Sequence, residues 1–424
     1  MNIVMVLSIR AVGVIAGFAV TYMIGRNLGA AATGQYALVN QSALFFSVAA
    51  LLGLNLSAVR HFAKATARGV PVARSTVLRF ALASGGLLLI AALAIGLSGQ
   101  SAWSFLVGAE TPRALLPALC ALILVRGILQ MLDGLLRSQH SFIAGQAIAV
   151  LTVPLSTAIA LVTGVVDTVE GALWAGAAGG LLSLVFGAFA MARHTGRGAD
   201  ALHVPLKTVF GSSLPLWGVA LAQNVGDWYA LAIAASMLSA SDAGFYRVGF
   251  QVAMVLQISS MALFSIYSAQ ISSAFHAENP RLAARLAQSA FRISSAISIP
   301  VAIFLIATAE FILAQIGAEF LAAYPVLIIL IVGQLSITLT GPCGLVLAMS
   351  GNERINLMIT IIGTLALLIS VPLAALAGGL QGIAVCVSVA LLFKNIVSYF
   401  IVRRKVGIGI WSGTLSSPKG IELE

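Results

Sequence analysis

Residues 26–38 read RNLGAAATGQYAL, and 236–249 read SMLSASDAGFYRVG. Laid on each other at an offset of 210, Gly34-Gln35-Tyr36 falls on Gly244-Phe245-Tyr246. The correspondence extends outward from this phrase. Val70-Pro71 and the basic segment after it match Asn279-Pro280 and its basic segment, and Val107-Gly108-Ala109-Glu110 matches Ile316-Gly317-Ala318-Glu319. Leu135 to Ser138 then match Leu347 to Ser350, Glu170-Gly171-Ala172 meets Gln381-Gly382-Ile383, and Arg193 meets Arg404, all at offsets of 209–212. The chain is an internal duplication.

The medium is set by composition. Apolar residues are 60% of the chain, charged residues 8% and mean hydropathy is +1.05, whereas soluble domains carry roughly 25% charged residues. Apolar runs of about 20 residues, enough to cross about 30 Å of hydrocarbon, recur throughout. Twelve are expected, near 5–25, 37–58, 77–98, 114–136, 142–163, 169–192, 212–237, 245–270, 292–313, 322–348, 355–377 and 379–402. They lack the apolar/polar alternation of barrel strands, so helices are expected. The fold class is all-α and polytopic, with about twelve transmembrane helices. An even number of spans in each half makes the two six-helix repeats parallel, around a central cavity. The expected organisation is an N-terminal lobe over 1–205, a C-terminal lobe over 206–405 and a cytoplasmic tail over 406–424.

Placing the N-terminus inside puts seventeen of the 23 Lys and Arg residues on the cytoplasmic side, so both termini are expected there. The acidic Glu110, Asp167, Glu170, Asp242, Glu310 and Glu319 then lie outside. Orientation accounts for the net charge of +10 without nucleic-acid binding. Cys120, Cys343 and Cys386 sit within apolar spans without metal-type spacing and read as packing residues. All five histidines lie at cytoplasmic ends, and no loop is long enough for a catalytic domain, so the chain reads as no enzyme, with neither cofactor nor metal. The segment HAENPRLAARLAQSAFR, 276–292, places Asn279 as N-cap and Pro280 at the first helical position of a short helix on the inner leaflet. Gly378 and Gly379 mark close approach or bending.

A span followed by R-x-L-G-x-x-x-x-G-x-Y, Arg26 to Tyr36, and then by one ending near G-x-N-x-x-A-x-R, Gly53 to Arg60, resembles the Wzx-like oligosaccharide-lipid flippases and polysaccharide exporters of the multidrug/oligosaccharidyl-lipid/polysaccharide (MOP) exporter superfamily. The stretch from Asp227 to Tyr246 is similar to that family's D…G-x-Y pattern. The resemblance covers essentially the whole chain. It implies a two-lobed twelve-helix exporter of the bacterial cytoplasmic membrane. Its cargo would be an undecaprenyl-pyrophosphate-linked oligosaccharide for O-antigen, capsule or exopolysaccharide, and its partners membrane lipids and polysaccharide polymerase machinery. The peptidoglycan-precursor flippases of that superfamily usually carry two further helices absent here, which weighs against that substrate. Asp133 is not part of the family pattern.

An ionisable residue at mid-membrane costs about 2.5–3.5 kcal/mol on insertion scales and so faces a wet cavity or a partner. Arg10, Arg126, Lys394, Arg60 and Arg247 are the candidates for a cationic cavity. A guanidinium binds pyrophosphate through two charge-assisted hydrogen bonds. Gln223, Asn224, Gln130 and Asn40 are candidates for the sugars, together with Gln41, Gln251, Gln257 and Gln334. Asp227 and Asp133 are candidates for proton or sodium coupling. Each has a plainer reading as well. Arg126 and Asp133, two turns apart on one face, suit a structural ion pair, and Arg10 and Lys394 are close enough to the inner face to snorkel. A cation antiporter of the same superfamily needs a carboxylate-dominated cavity. A polymerase or ligase needs a large outer loop, which this chain lacks.

Overall fold

The computed structural model describes residues 2–67, 72–108, 110–193, 195–196 and 204–415. Val70, Pro71, Ala109, His194, His203 and residues 416–424 of the expected tail lie outside them. Among the described residues eight segments are long and apolar enough to cross a membrane. Two are double-length. Helix α1, Asn2–Ala50, is broken at Gly29, whose φ of 85° is open to glycine and strained for other residues. The last long helix, Glu353–Ile401, breaks at Gly378 and Gly379, where bending was expected. With Leu206–Ile233 and the 240–276 hairpin arm, these make up the twelve spans.

By contacts the chain divides into two compact units, 1–244 and 245–424. This partition differs from the repeat boundary near residue 205 because α9, Leu206–Ile233, packs on α1 and on α2, Leu54–Ala67. Three bonds tie it there. Trp217 Nε1 donates to the Ala49 carbonyl (3.0 Å), Ser57 Oγ to the Val209 carbonyl (2.9 Å), and Trp228 Nε1 to Ser42 Oγ (2.9 Å).

The first unit continues with α3, Arg74–Gly96, and α4, Gln100–Val107. Next come α5, Leu116–Ser138, α6, Phe142–Gln146, α7, Thr152–Val162, and α8, Val169–Ala192. A π turn over Ala147–Leu151 joins α6 and α7 into one span. One end of the unit has a core of Leu54, Phe62, Phe80, Met131, Leu135 and Met191, with Phe62 edge-on to Phe80. There the segment after α2 pairs with the segment after α8, Val72 opposite Thr195.

The second unit contains α10 from Phe245 onward (α10 is Ala240–Ala253), then α11, Val255–His276, α12, Pro280–Ala307, and α13, Ala309–Ile316. It ends with α14, Tyr324–Thr340, α15, Cys343–Met349, and α16, Glu353–Ile401. Asn279 caps α12 as expected, its side-chain oxygen accepting from Leu282 N at 3.1 Å, with Pro280 first in the helix. The expected separate helix on the inner leaflet is not formed. Residues 280–291 are the first turns of the continuous α12, because Ala283, Ala287 and Ala290 keep one buried face running into the span. Asn279→Ala is expected to cost about 1 kcal/mol. Faster amide exchange over 281–284, with the middle of α12 unchanged, is the readout.

Residues 406–415 fold back on their own unit. Ile408 and Ile410 are buried, Trp411 stacks on Tyr399 at 4.6 Å, and its indole donates to the Leu339 carbonyl at 2.9 Å. The outward faces of the long helices are apolar, for example Leu82 and Ile90 on α3, Phe186 and Phe189 on α8, and Ile369 and Leu376 on α16. Continuous faces of this kind need hydrocarbon around them, and the chain is a multi-pass membrane protein.

Candidate functional site: a polar stripe on α5

Four polar residues of α5 recur at 126, 130, 133 and 137, a spacing of four, three and four that keeps them on one helical face. Each finds a partner on another part of the first unit or one turn along. Arg126, half-buried, donates to Asn40 Oδ1 at 2.5 Å, and Gln130 donates to Ser47 Oγ at 3.0 Å, both partners lying on the second half of α1. Asp133 is buried. Its Oδ2 pairs with Arg137 at 2.9 Å and its Oδ1 accepts from Gln146 Nε2 at 3.0 Å, while Gln146 Oε1 accepts from Arg10 Nε at 2.9 Å. The result is a chain of four side chains, Arg10–Gln146–Asp133–Arg137, spanning α1, α6 and α5.

Local sequence explains the reach. A Cβ on Gly145 would stand 2.8 Å from Asp133 Oδ1 and 3.1 Å from its carbonyl oxygen. Only glycine lets α6 close on α5 far enough to present Gln146.

This geometry corrects one expectation. Arg126 and Asp133 do not form an ion pair; the two-turn separation is bridged on each side by nearer partners, Asn40 for Arg126 and Arg137 for Asp133. Of the residues singled out from sequence, Arg10, Asn40, Arg126, Gln130 and Asp133 come together along this stripe. Arg60 is exposed on α2. Gln223 and Asp227 are exposed on α9, Asp227 next to the buried Trp228, and Asn224 donates to the Ala220 carbonyl of its own helix at 2.8 Å. Trp228 stacks on Phe45 at 4.3 Å, so α9 meets the second half of α1 through an aromatic contact. Arg247 and Lys394 are half-buried in the second unit. The residues not foreseen are Arg137, Gln146, Ser42 and Ser47. Arg137 is legible as the next member of the stripe, four residues after Asp133.

The second unit has polar contacts of its own between helices. Gln257 donates to Gln334 Oε1 (2.5 Å), Ser260 shares a hydrogen bond with Ser294 (2.7 Å), and Asn395 donates to Ser336 Oγ (3.3 Å). A groove of about 400 Å³ between α14 and the second half of α16 is lined by Ile328, Val332, Gly333, Val385, Val389 and Leu392 among others. Its two serines, Ser336 and Ser388, engage their hydroxyls with the backbone carbonyls of Gly333 and Ile329, leaving a surface suited to hydrocarbon. Among the described residues no three His, Cys, Asp or Glu side chains converge as a metal site would require.

No family model and no curated protein matches the chain. Solved structures do. An inward-facing multidrug resistance MATE family transporter of the MOP superfamily superposes with a TM-score of 0.70 at 15% identity, over 95% of this chain and 98% of that one. The lipid II flippase MurJ, in an inward closed conformation, gives 0.67 at 12%, over 94% and 87%. A MOP superfamily transporter from Pyrococcus furiosus, described as having a binding pocket of reverse polarity that suggests a different function, gives 0.56 at 14%, over 95% and 93%. The chain has the fold of the MOP superfamily transporters.

Proposed function

We propose that this chain is a lipid-linked oligosaccharide flippase. It moves an undecaprenyl-pyrophosphate-linked glycan across the bacterial cytoplasmic membrane by alternating access, for O-antigen, capsule or exopolysaccharide assembly. The observation that carries this reading is the α5 stripe, where Arg10, Arg126 and Arg137 stand against the single carboxylate of Asp133. Its net charge is positive, which attracts a pyrophosphate and repels the cationic cargo of a drug antiporter. Arg126 is the residue we assign to the pyrophosphate, with Asn40 orienting its guanidinium. Gln130 would meet the first sugars.

Two of the fold neighbours are in keeping with this assignment. One is named as a flippase of a lipid-linked precursor, and another is a MOP transporter with a pocket of reverse polarity. Both oxygens of Asp133 are engaged within the protein, so we carry the role of coupling carboxylate forward for Asp227 alone.

The test is reconstitution. Proteoliposomes holding the purified chain are expected to translocate an undecaprenyl-pyrophosphate oligosaccharide, read as accessibility of the sugar to an added glycosidase, and to leave a fluorescent organic cation where it is. Cation movement without glycan movement would assign the antiporter instead.

A further inference from the structure

The duplicated phrase meets itself. Breaks at Gly29 and Ser239 occupy the same repeat position, and the helical stretches starting at Ala30 and Ala240 cross each other at Gly34 and Gly244. A Cβ on Gly34 would lie 1.9 Å from the Ala240 carbonyl oxygen, and a Cβ on Gly244 would lie 2.1 Å from the Ala30 carbonyl oxygen. The contact is reciprocal: residue 34 meets 240 while 244 meets 30. At each crossing a glycine hydrogen points at a carbonyl, an interaction that is weak singly and sensitive to separation. Ala30, Thr33, Ala240 and Ala243 are sealed within it.

Glu110 holds both copies. Its carboxylate accepts from Ala240 N at 2.7 Å, placing a negative charge at the start of α10, and its backbone carbonyl accepts from Gln35 Nε2 at 3.1 Å. Gly108, two residues earlier, lies against Ala235, to whose carbonyl oxygen a Cβ would stand at 3.0 Å. All these groups are at the end of the first unit that the charge distribution assigns to the outside.

We propose that the Gly34/Gly244 crossing, with Glu110 as its clasp, is the releasable closure of the outer end of the transport path. It rests on the alternating-access part of the functional reading, not on the identity of the cargo. Two bare backbones in contact need no side-chain repacking to part or rejoin, and Glu110 is exposed, so release leaves its carboxylate in water. The phrase is written twice because both partners in the crossing must be glycine.

Ala243, fully buried beside the crossing, reports on closure when replaced by cysteine in a chain whose Cys120, Cys343 and Cys386 are alanine. A membrane-impermeant maleimide is applied to intact cells and, separately, to inverted vesicles. Adding Gly34→Leu or Gly244→Leu is expected to raise labelling of Ala243→Cys from the outside at least tenfold, Glu110→Ala to raise it a few-fold, and Gly34→Ala to fall between. If Gly34→Leu inserts normally and labels at the parental rate, or gains only from the cytoplasmic side, the closure is overturned. If the leucine variants do not insert, unchanged labelling in both Gly34→Ala and Glu110→Ala overturns it. Labelling needs no cargo, so altered labelling together with failed glycan translocation would keep the closure and remove the flippase assignment.

Discussion

Replacing Arg126 by alanine is expected to lower glycan translocation about 10- to 150-fold while the protein still inserts and stays folded. The magnitude follows from a charged hydrogen bond worth about 1.5–3 kcal/mol, at about 1.4 kcal/mol per tenfold. The sign on stability is the opposite of the sign on function. Arg126 is half-buried at the middle of a transmembrane helix and bonded to a neutral amide, Asn40 Oδ1, so its removal takes away a charge that costs about 2.5–3.5 kcal/mol to hold there. A lysine at this position keeps the charge but loses the planar fork and is expected to recover part of the rate. Asn40→Ala frees the guanidinium to rotate and should slow translocation less than Arg126→Ala. Flipping rates in proteoliposomes at matched protein content measure all three. Parental rates for Arg126→Ala would remove this residue from the substrate path.

The duplication, the number of spans and the bends at Gly378 and Gly379 were legible in the sequence, because each is written in local hydropathy or in a fixed offset. The α5 stripe was half legible. Its period is visible from Arg126 to Arg137, yet Asn40 and Ser47 lie 86 and 83 residues from the α5 residues they bond and Gln146 lies 136 from Arg10, and no periodicity couples such distant positions. The opening phrase shows the same limit more sharply. By residue type alone, Gly34 and Gly244 suit a tight turn and Tyr36 and Tyr246 suit headgroup level, where amphipathic rings are favoured. In the structure the turn is made at Gly29, both glycines lie within helices where another backbone crosses, and both tyrosines are buried in protein. A glycine needed for close approach and one needed for positive φ look alike until the neighbour is known. The charge within 276–292 contrasts with the apolar span that follows and suggests a separate helix, whereas the backbone carries one helix from Pro280 through both.

Asp133→Ala is expected to be the most destabilising single change in the first unit, by about 3 kcal/mol. Removing one member of a buried pair leaves the other charge uncompensated, at about 3–5 kcal/mol, and the lower end applies because the Arg137 side chain is 28% exposed. The loss spreads beyond the pair. Gln146 Nε2 loses its acceptor, which loosens the side chain whose Oε1 holds Arg10 and weakens one tie between α1 and α6. Asp133→Asn keeps an acceptor for Gln146 and is expected to cost about half as much. Replacing Asp133 and Arg137 together by leucine and methionine removes both charges, and buried pairs exchanged for apolar residues of similar size are often neutral or better. The double variant should therefore be more stable than Asp133→Ala alone, giving a coupling of about 1–3 kcal/mol in a double-mutant cycle. Unfolding in mixed micelles of increasing SDS fraction measures it. If the pair instead belonged to the transport chemistry, Asp133→Ala would retain parental stability and lose translocation. Loss of stability with translocation scaling to the folded fraction marks Asp133 as the tie that keeps α1, α5 and α6 in register, with Arg126 one face-repeat away left to meet the cargo.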